Sequence, residues 1–183
     1  MLSSAPVGGG WSRPSWLVNM GVALDYARTD LVDHAAQVSG ALRLDGAGAM
    51  LFTAADVSAV RSVEREGVRV DSTVGVTSPT WAADETGGFT PYRPGTVNIV
   101  VQVPVRLSPA ALVNAVMTVT EAKTQALLEA GVPGTGTASD AVAVVCPDRS
   151  GVEAFGGPRS RWGSRIALAA HASVAAGLRS QPC

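Results

Sequence analysis

The chain has 183 residues, 46% of them hydrophobic, enough for a sizeable core, so one domain over residues 1–183 is the expectation. Its 14 Lys and Arg against 15 Asp and Glu give a formal charge of -1, which excludes the basic excess needed to hold a polyanion by counterion release and so excludes nucleic acid as an expected partner. The longest apolar runs, 97–105 and 141–146, are strand-sized rather than membrane-spanning, and the first six residues show no basic region followed by an apolar one, so a soluble cytoplasmic protein that does not bind membranes is expected.

The two cysteines, Cys146 and Cys183, have neither disulfide-framework density nor metal-ligand spacing, and Cys146 reads as a small core residue. The two histidines, His34 and His171, fall on separate helical patterns, so no metal site is expected.

Residues 1–13 are rich in Ser and Gly, and Gly8-Gly9-Gly10 beside Trp11 reads either as a linker or as a pocket wall where a ligand meets bare backbone. Residues 16–26 read as a strand interrupted by Asn19, whose amide needs partners if buried. Asp30 is placed to cap a short helix carrying Leu31, Ala35, Val38 and Leu42, with His34 a satisfied or exposed helix residue. A turn at 45–48 precedes the apolar run 49–53, and the Glu66-Gly67 turn opens a period-two strand over 68–76 that pairs as a hairpin with the segment before it.

The irregular stretch 77–95 carries Trp81, Phe89 and Tyr92, which either form a lid over a flat, partly apolar ligand or pin the loop to the core. The clearest strand follows over 96–105, with Asn98 and Gln102 on one face and Pro104 marking its end. Ser108 as N-cap and Pro109 at the first helical position start a helix that runs to Glu129 and stops near Gly131. On it Glu121 and Lys123 are two residues apart and so point to different partners.

Between that helix and the apolar run from Ala141 lies a loop with glycines, three hydroxyls (Thr135, Thr137, Ser139) and the carboxylate of Asp140. Residues 131–145 therefore have the make-up of a binding or catalytic loop held between rigid elements, or of a connection whose hydroxyls only cap backbone groups. The last pattern, 164–178, is an alanine-rich helix with His171 buried and hydrogen-bonded in its middle. The elements add up to an α+β or α/β fold, a single layered domain with a mixed β-sheet packed against two long helices.

Four motifs in order, Leu2-Ser3-Ser4-Ala5-Pro6 with Gly8-Gly9-Gly10, Gly95-Thr96-Val97-Asn98-Ile99, Thr120-Glu121-Ala122-Lys123-Thr124, and Gly134-Thr135-Gly136-Thr137-Ala138-Ser139-Asp140-Ala141, resemble those of the adenosylcobinamide amidohydrolases of cobamide salvage. Gly156-Gly157-Pro158 with Trp162-Gly163 adds a weaker match, and Ala138-Ser139 and Arg159-Ser160 depart from the family pattern. Relatives also carry a further N-terminal segment ahead of the Ser-Ser-Ala motif. The resemblance implies hydrolysis of the amide joining the aminopropanol arm to the corrin ring of adenosylcobinamide, giving adenosylcobyric acid, with the corrinoid as substrate and no cofactor. A non-catalytic corrinoid-binding or sensing module is the alternative, and the sequence assigns no oligomeric state.

Amide hydrolysis needs an activated water or nucleophile, donors for the oxyanion and an acid for the leaving amine. Asp140 or Glu121 is the expected base, Lys123 the acid or the partner of a carboxylate, and Thr135 and Thr137 the oxyanion or water ligands. Ser3, Ser4, Asn19, Asn98 and Ser139 are the further expected substrate-binding residues. A covalent route through Ser3, Ser4 or Thr137 has no Ser-His-Asp ordering behind it. The loop also lacks the Lys-Ser/Thr ending of a phosphate-binding P-loop.

Overall fold

The computed structural model describes residues 1–85, 95–148 and 151–180. In chain order it contains β1 (Leu2–Ser3), β2 (Gly10–Trp11), β3 (Trp16–Gly21), α1 (Leu31–Ala41), β4 (Gly48–Thr53), β5 (Arg61–Arg65), β6 (Val68–Val74), β7 (Val97–Gln102), β8 (Arg106–Leu107), α2 (Pro109–Glu129), β9 (Ala141–Val145), β10 (Val152–Glu153) and α3 (Arg161–Arg179). The main sheet is six-stranded and mixed, in the order β2-β1-β9-β7-β6-β5. Its centre is the parallel pair β7 and β9, in register from Asn98 opposite Ala141 to Gln102 opposite Val145, and α2 forms the crossover that parallel neighbours require.

Side-chain alternation splits this sheet cleanly between two layers. Val97, Ile99 and Val101 of β7 and Val142 and Val144 of β9 face the helices, packing with Leu112 and Val119 of α2 and Ile166 and Val174 of α3. Val100, Ala141 and Ala143 face the other way, toward Ala49 and Leu51 of β4 and Leu17 of β3. A parallel pair covered on both faces reads as an almost unbroken apolar run, which is why β7 and β9 stand out in the sequence. The parallel pair β3 and β4 forms the outer layer, and α1 is tied to it where His34 lies against Phe52, ring centroids 5.8 Å apart.

Local chemistry explains most element ends. Glu66 and Gly67, at φ 45° and 85°, form the hairpin turn between β5 and β6, where two positive φ values match the strand twist. Ser108 Oγ accepts from Ala111 N at 3.1 Å to cap α2, and Gly131, at φ 75°, ends it.

Several expectations are corrected. Asp30 occupies the N-cap of α1 but makes no capping bond, because its carboxylate is engaged by Arg28 at 2.6 and 2.9 Å. α3 begins at Arg161, three residues before the expected start: Ser160 Oγ accepts from Gly163 N at 3.0 Å, so Ser160 is its cap. Gly8-Gly9-Gly10 is not a linker: a Cβ at Gly8 would lie 2.1 Å from Gly48 O and one at Gly9 2.2 Å from Ala5 O, so bare backbone packs closely there, and Gly10 pairs in β2. His171 is half-buried rather than buried, and hydrogen-bonded to Glu129 at 2.7 Å. The strands read as 16–26 and 68–76 stop at Gly21 and Val74. No described helix is long and apolar enough to cross a membrane.

A Cβ at Gly163 would lie 1.9 Å from Gly157 O, whereas one at Gly40 in α1 meets nothing within 4 Å. Gly163→Ala is expected to cost about 1–3 kcal/mol by overpacking, and Gly40→Ala to gain roughly 0.5–1 kcal/mol through helix propensity. Urea midpoints at unchanged slope check both.

Candidate functional site

The loop after α2 is organised around one carboxylate. Asp140 Oδ1 accepts from Val97 N at 2.9 Å and Thr137 Oγ1 at 2.5 Å, and Oδ2 accepts from Lys123 Nζ at 2.5 Å and Thr137 N at 3.1 Å. These four donors come from β7, from the loop itself and from α2, and they occupy the positions a carboxylate offers. The Lys123 and Asp140 side chains are 9% and 12% exposed, so this is a buried, charge-assisted contact. Gly136 makes it possible, since a Cβ there would lie 2.4 Å from Asp140 Oδ2 and 2.6 Å from Lys123 Nζ.

The neighbouring hydroxyls are used locally. Thr135 N donates to Thr80 O at 2.8 Å, Thr80 N to Gly136 O at 2.8 Å, and Ala82 N to Thr135 Oγ1 at 2.9 Å. The start of the long loop is thereby zipped onto the hydroxyl-rich one. Trp81 is exposed there, while Phe89 and Tyr92 lie outside the described residues. Ser139 turns to β7, its Oγ 2.8 Å from Thr96 Oγ1.

Ser3 and Ser4 sit where β1 ends against β9. Ser3 Oγ accepts from Ala5 N and Ser4 Oγ from Val142 N, both at 3.0 Å. Asn98 is buried, donating from Nδ2 to Asn19 Oδ1 at 2.8 Å and Phe52 O at 3.0 Å, while Asn19 Nδ2 donates to Thr73 Oγ1 at 3.0 Å. This ladder ties β6, β7, β3 and β4 together and leaves Asn98 Oδ1 without a hydrogen-bond partner among the described residues. Glu121 is not brought to the group: two residues from Lys123 on α2, it is exposed on a different face.

A cavity of about 320 Å³ opens where these segments meet, lined by Pro6, Tyr26, Arg28, Phe52, Thr96 and Ser139 among others. A larger cavity of about 570 Å³ lies between the ends of α2 and α3, beside His171 and Glu129, but none of the four sequence motifs lines it. Cavities of about 410 and 340 Å³ each meet one motif, the first at Thr120, Glu121 and Thr124 and the second at Gly95, whereas the one of about 320 Å³ meets three, at Pro6, Thr96 and Ser139, and is the candidate site. Sequence reading missed Tyr26, Arg28 and Phe52 as wall residues. Tyr26 Oη is 2.7 Å from His34 Nδ1, and the Tyr26 ring stacks on both His34 and Phe52. No periodic or motif signal links these three; they meet because β4 lies beside the segment that leads into α1. Among the described residues no three His, Cys, Asp or Glu side chains cluster to hold a metal ion.

Layers and cavity together define a three-layer α/β protein with a candidate cavity at the N-terminal ends of its central parallel strands. The family described as adenosylcobinamide amidohydrolase matches residues 1–182, and the chain belongs to that family. It is 38% identical over 96 residues to an adenosylcobinamide amidohydrolase of Methanosarcina mazei, covering 47% of this chain and 48% of the relative. Against one of Halobacterium salinarum it is 36% identical over 120 residues, covering 62% and 51%. The matched region thus spans about half the length of these curated relatives. No solved structure matches the chain.

Removing one partner of a buried ion pair strands the other, so Lys123→Met is expected to cost about 3–5 kcal/mol in urea unfolding. A cycle with Asp140→Asn should show the pair non-additive, the double variant losing less than the sum. The Arg28 guanidinium holds the Asp30 carboxyl down at about 2. A depressed folded pKa means the contact is present above the unfolded carboxyl pKa and is lost as pH falls through about 2. In an NMR titration, Arg28→Met should return Asp30 toward the ordinary carboxylate range.

Proposed function

We propose that this protein hydrolyses the amide joining the aminopropanol arm to the corrin ring of adenosylcobinamide, releasing adenosylcobyric acid and aminopropanol in cobalamin salvage. Family membership supports the reaction class. The observation that carries the reading is the convergence of separate motifs on one cavity: Thr96 and Ser139, 43 residues apart, bring their hydroxyls within 2.8 Å of each other in a wall shared with Pro6. At about 320 Å³ the cavity is at the small end of ligand sites, suited to a side arm with the macrocycle left outside.

In this reading Ser139 Oγ, which also lies 3.4 Å from Gly95 O, turns its hydrogen to Thr96 Oγ1, and the Thr96 hydroxyl hydrogen then binds the amide carbonyl oxygen as it gains charge. Asp140, with four donors already on it, serves in this reading as a positioning group: paired with Lys123, it fixes the loop that carries Ser139. Glu121, exposed on a different face of α2 from Lys123, takes no part. No resident cofactor is required, since the corrinoid is the substrate.

Incubating the full chain with adenosylcobinamide and following cobyric acid and aminopropanol by mass spectrometry tests the proposal. Thr96→Val with Ser139→Ala should lower kcat by roughly 10²–10³-fold, Asp140→Asn should lower activity and stability together, and Glu121→Gln should leave both unchanged. Saturable corrinoid binding without product would instead establish a non-catalytic corrinoid-binding module.

A further inference from the structure

We infer that Tyr26, oriented by His34, is the proton donor to the leaving amine, an assignment that rests on the hydrolytic reading of this cavity. An alkylamine leaves an amide only if its nitrogen is protonated as the C–N bond breaks, so the site needs an acid within reach of the arm. Among the described residues lining the cavity, Tyr26 and Arg28 are the ones with an ionisable proton. The Arg28 guanidinium, already bound to Asp30, does not give up a proton in a protein. Lys123 is committed to Asp140.

The Tyr26 phenol is held on two sides. Its ring stacks on Phe52 at 6.0 Å and on His34 at 5.6 Å, and Oη lies 2.7 Å from His34 Nδ1. With Nδ1 protonated, the imidazole donates to Oη and leaves the phenolic hydrogen for the cavity. Burial raises the phenol above its ordinary pKa, Arg28 offsets part of that and Asp30 adds to it, so the group carries its proton at neutral pH.

The step balances without a further reactant. Water adds through oxygen to the acyl carbon, and the C–N bond breaks with its electron pair left on nitrogen. That nitrogen takes the Tyr26 proton, and the proton lost by the attacking water restores the phenol. His34 acts through Tyr26 and is a positioning residue.

The test compares wild type, Tyr26→Phe and His34→Asn as full chains on adenosylcobinamide and on a cobyric acid p-nitrophenyl ester, whose leaving group needs no proton. Tyr26→Phe keeps the ring stacking. It is expected to lower kcat on the amide by roughly 10²–10⁴-fold with KM nearly unchanged, and to cleave the ester at close to the wild-type rate. His34→Asn should lower kcat less and shift the Tyr26 ultraviolet titration, which the difference between the wild-type and Tyr26→Phe titrations assigns. A Tyr26→Phe variant that retains amide turnover, or that loses ester and amide cleavage equally, overturns the assignment alone. A wild type inert toward adenosylcobinamide overturns the hydrolytic reading and this assignment with it.

Discussion

The carboxylate of Asp140 is where the two halves of the site are joined. A charged oxygen pair shielded from water is tolerated only with its lone pairs occupied and its charge compensated, and here β7, the loop and α2 each supply what is needed. The contact sets the height at which the loop enters β9, and so fixes Ser139 opposite Thr96. It also explains the glycine at Gly136, because any side chain there would occupy the space of the ion pair.

The cavity follows from the way the layers close. The six-stranded sheet is covered by α2 and α3 on one face and by β3 and β4 on the other, and the second cover is narrower than the sheet it protects. At its margin the segment leading into α1 brings Tyr26 and Arg28 to the cavity that Phe52, Thr53, Thr96 and Ser139 also line. The Thr96–Ser139 pair and the stacked Tyr26 and Phe52 rings line the same gap. Apolar walls with a few fixed hydroxyls are what orient a small arm of a larger ligand.

Much of the scaffold was legible because its signals are local. Ser108-Pro109 announces a helix start by the hydroxyl that caps and the ring that needs no donor, and Glu66-Gly67 announces a hairpin by its tolerance of positive φ. The start of α3 was missed because Gly157-Pro158 reads as loop, while its capping bond from Gly163 to Ser160 is visible only once the backbone turns. The hydroxyl-rich loop stands out by composition, but what each hydroxyl does depends on partners far away in sequence: Thr135 meets the segment at Thr80 and Ala82, and Ser139 meets Thr96.

The sequence by itself determined the mixed α/β class, the two long helices, the central apolar strands and, through the order of its motifs, the family. These rest on periodicity and on short-range chemistry, which survive without knowledge of the fold. Only the tertiary structure decided that Asp140 meets Lys123 and that Glu121 does not, and that Tyr26, His34 and Phe52 build one wall. Those outcomes depend on which helix face turns inward and which strand lies beside which, and long-range packing settles both.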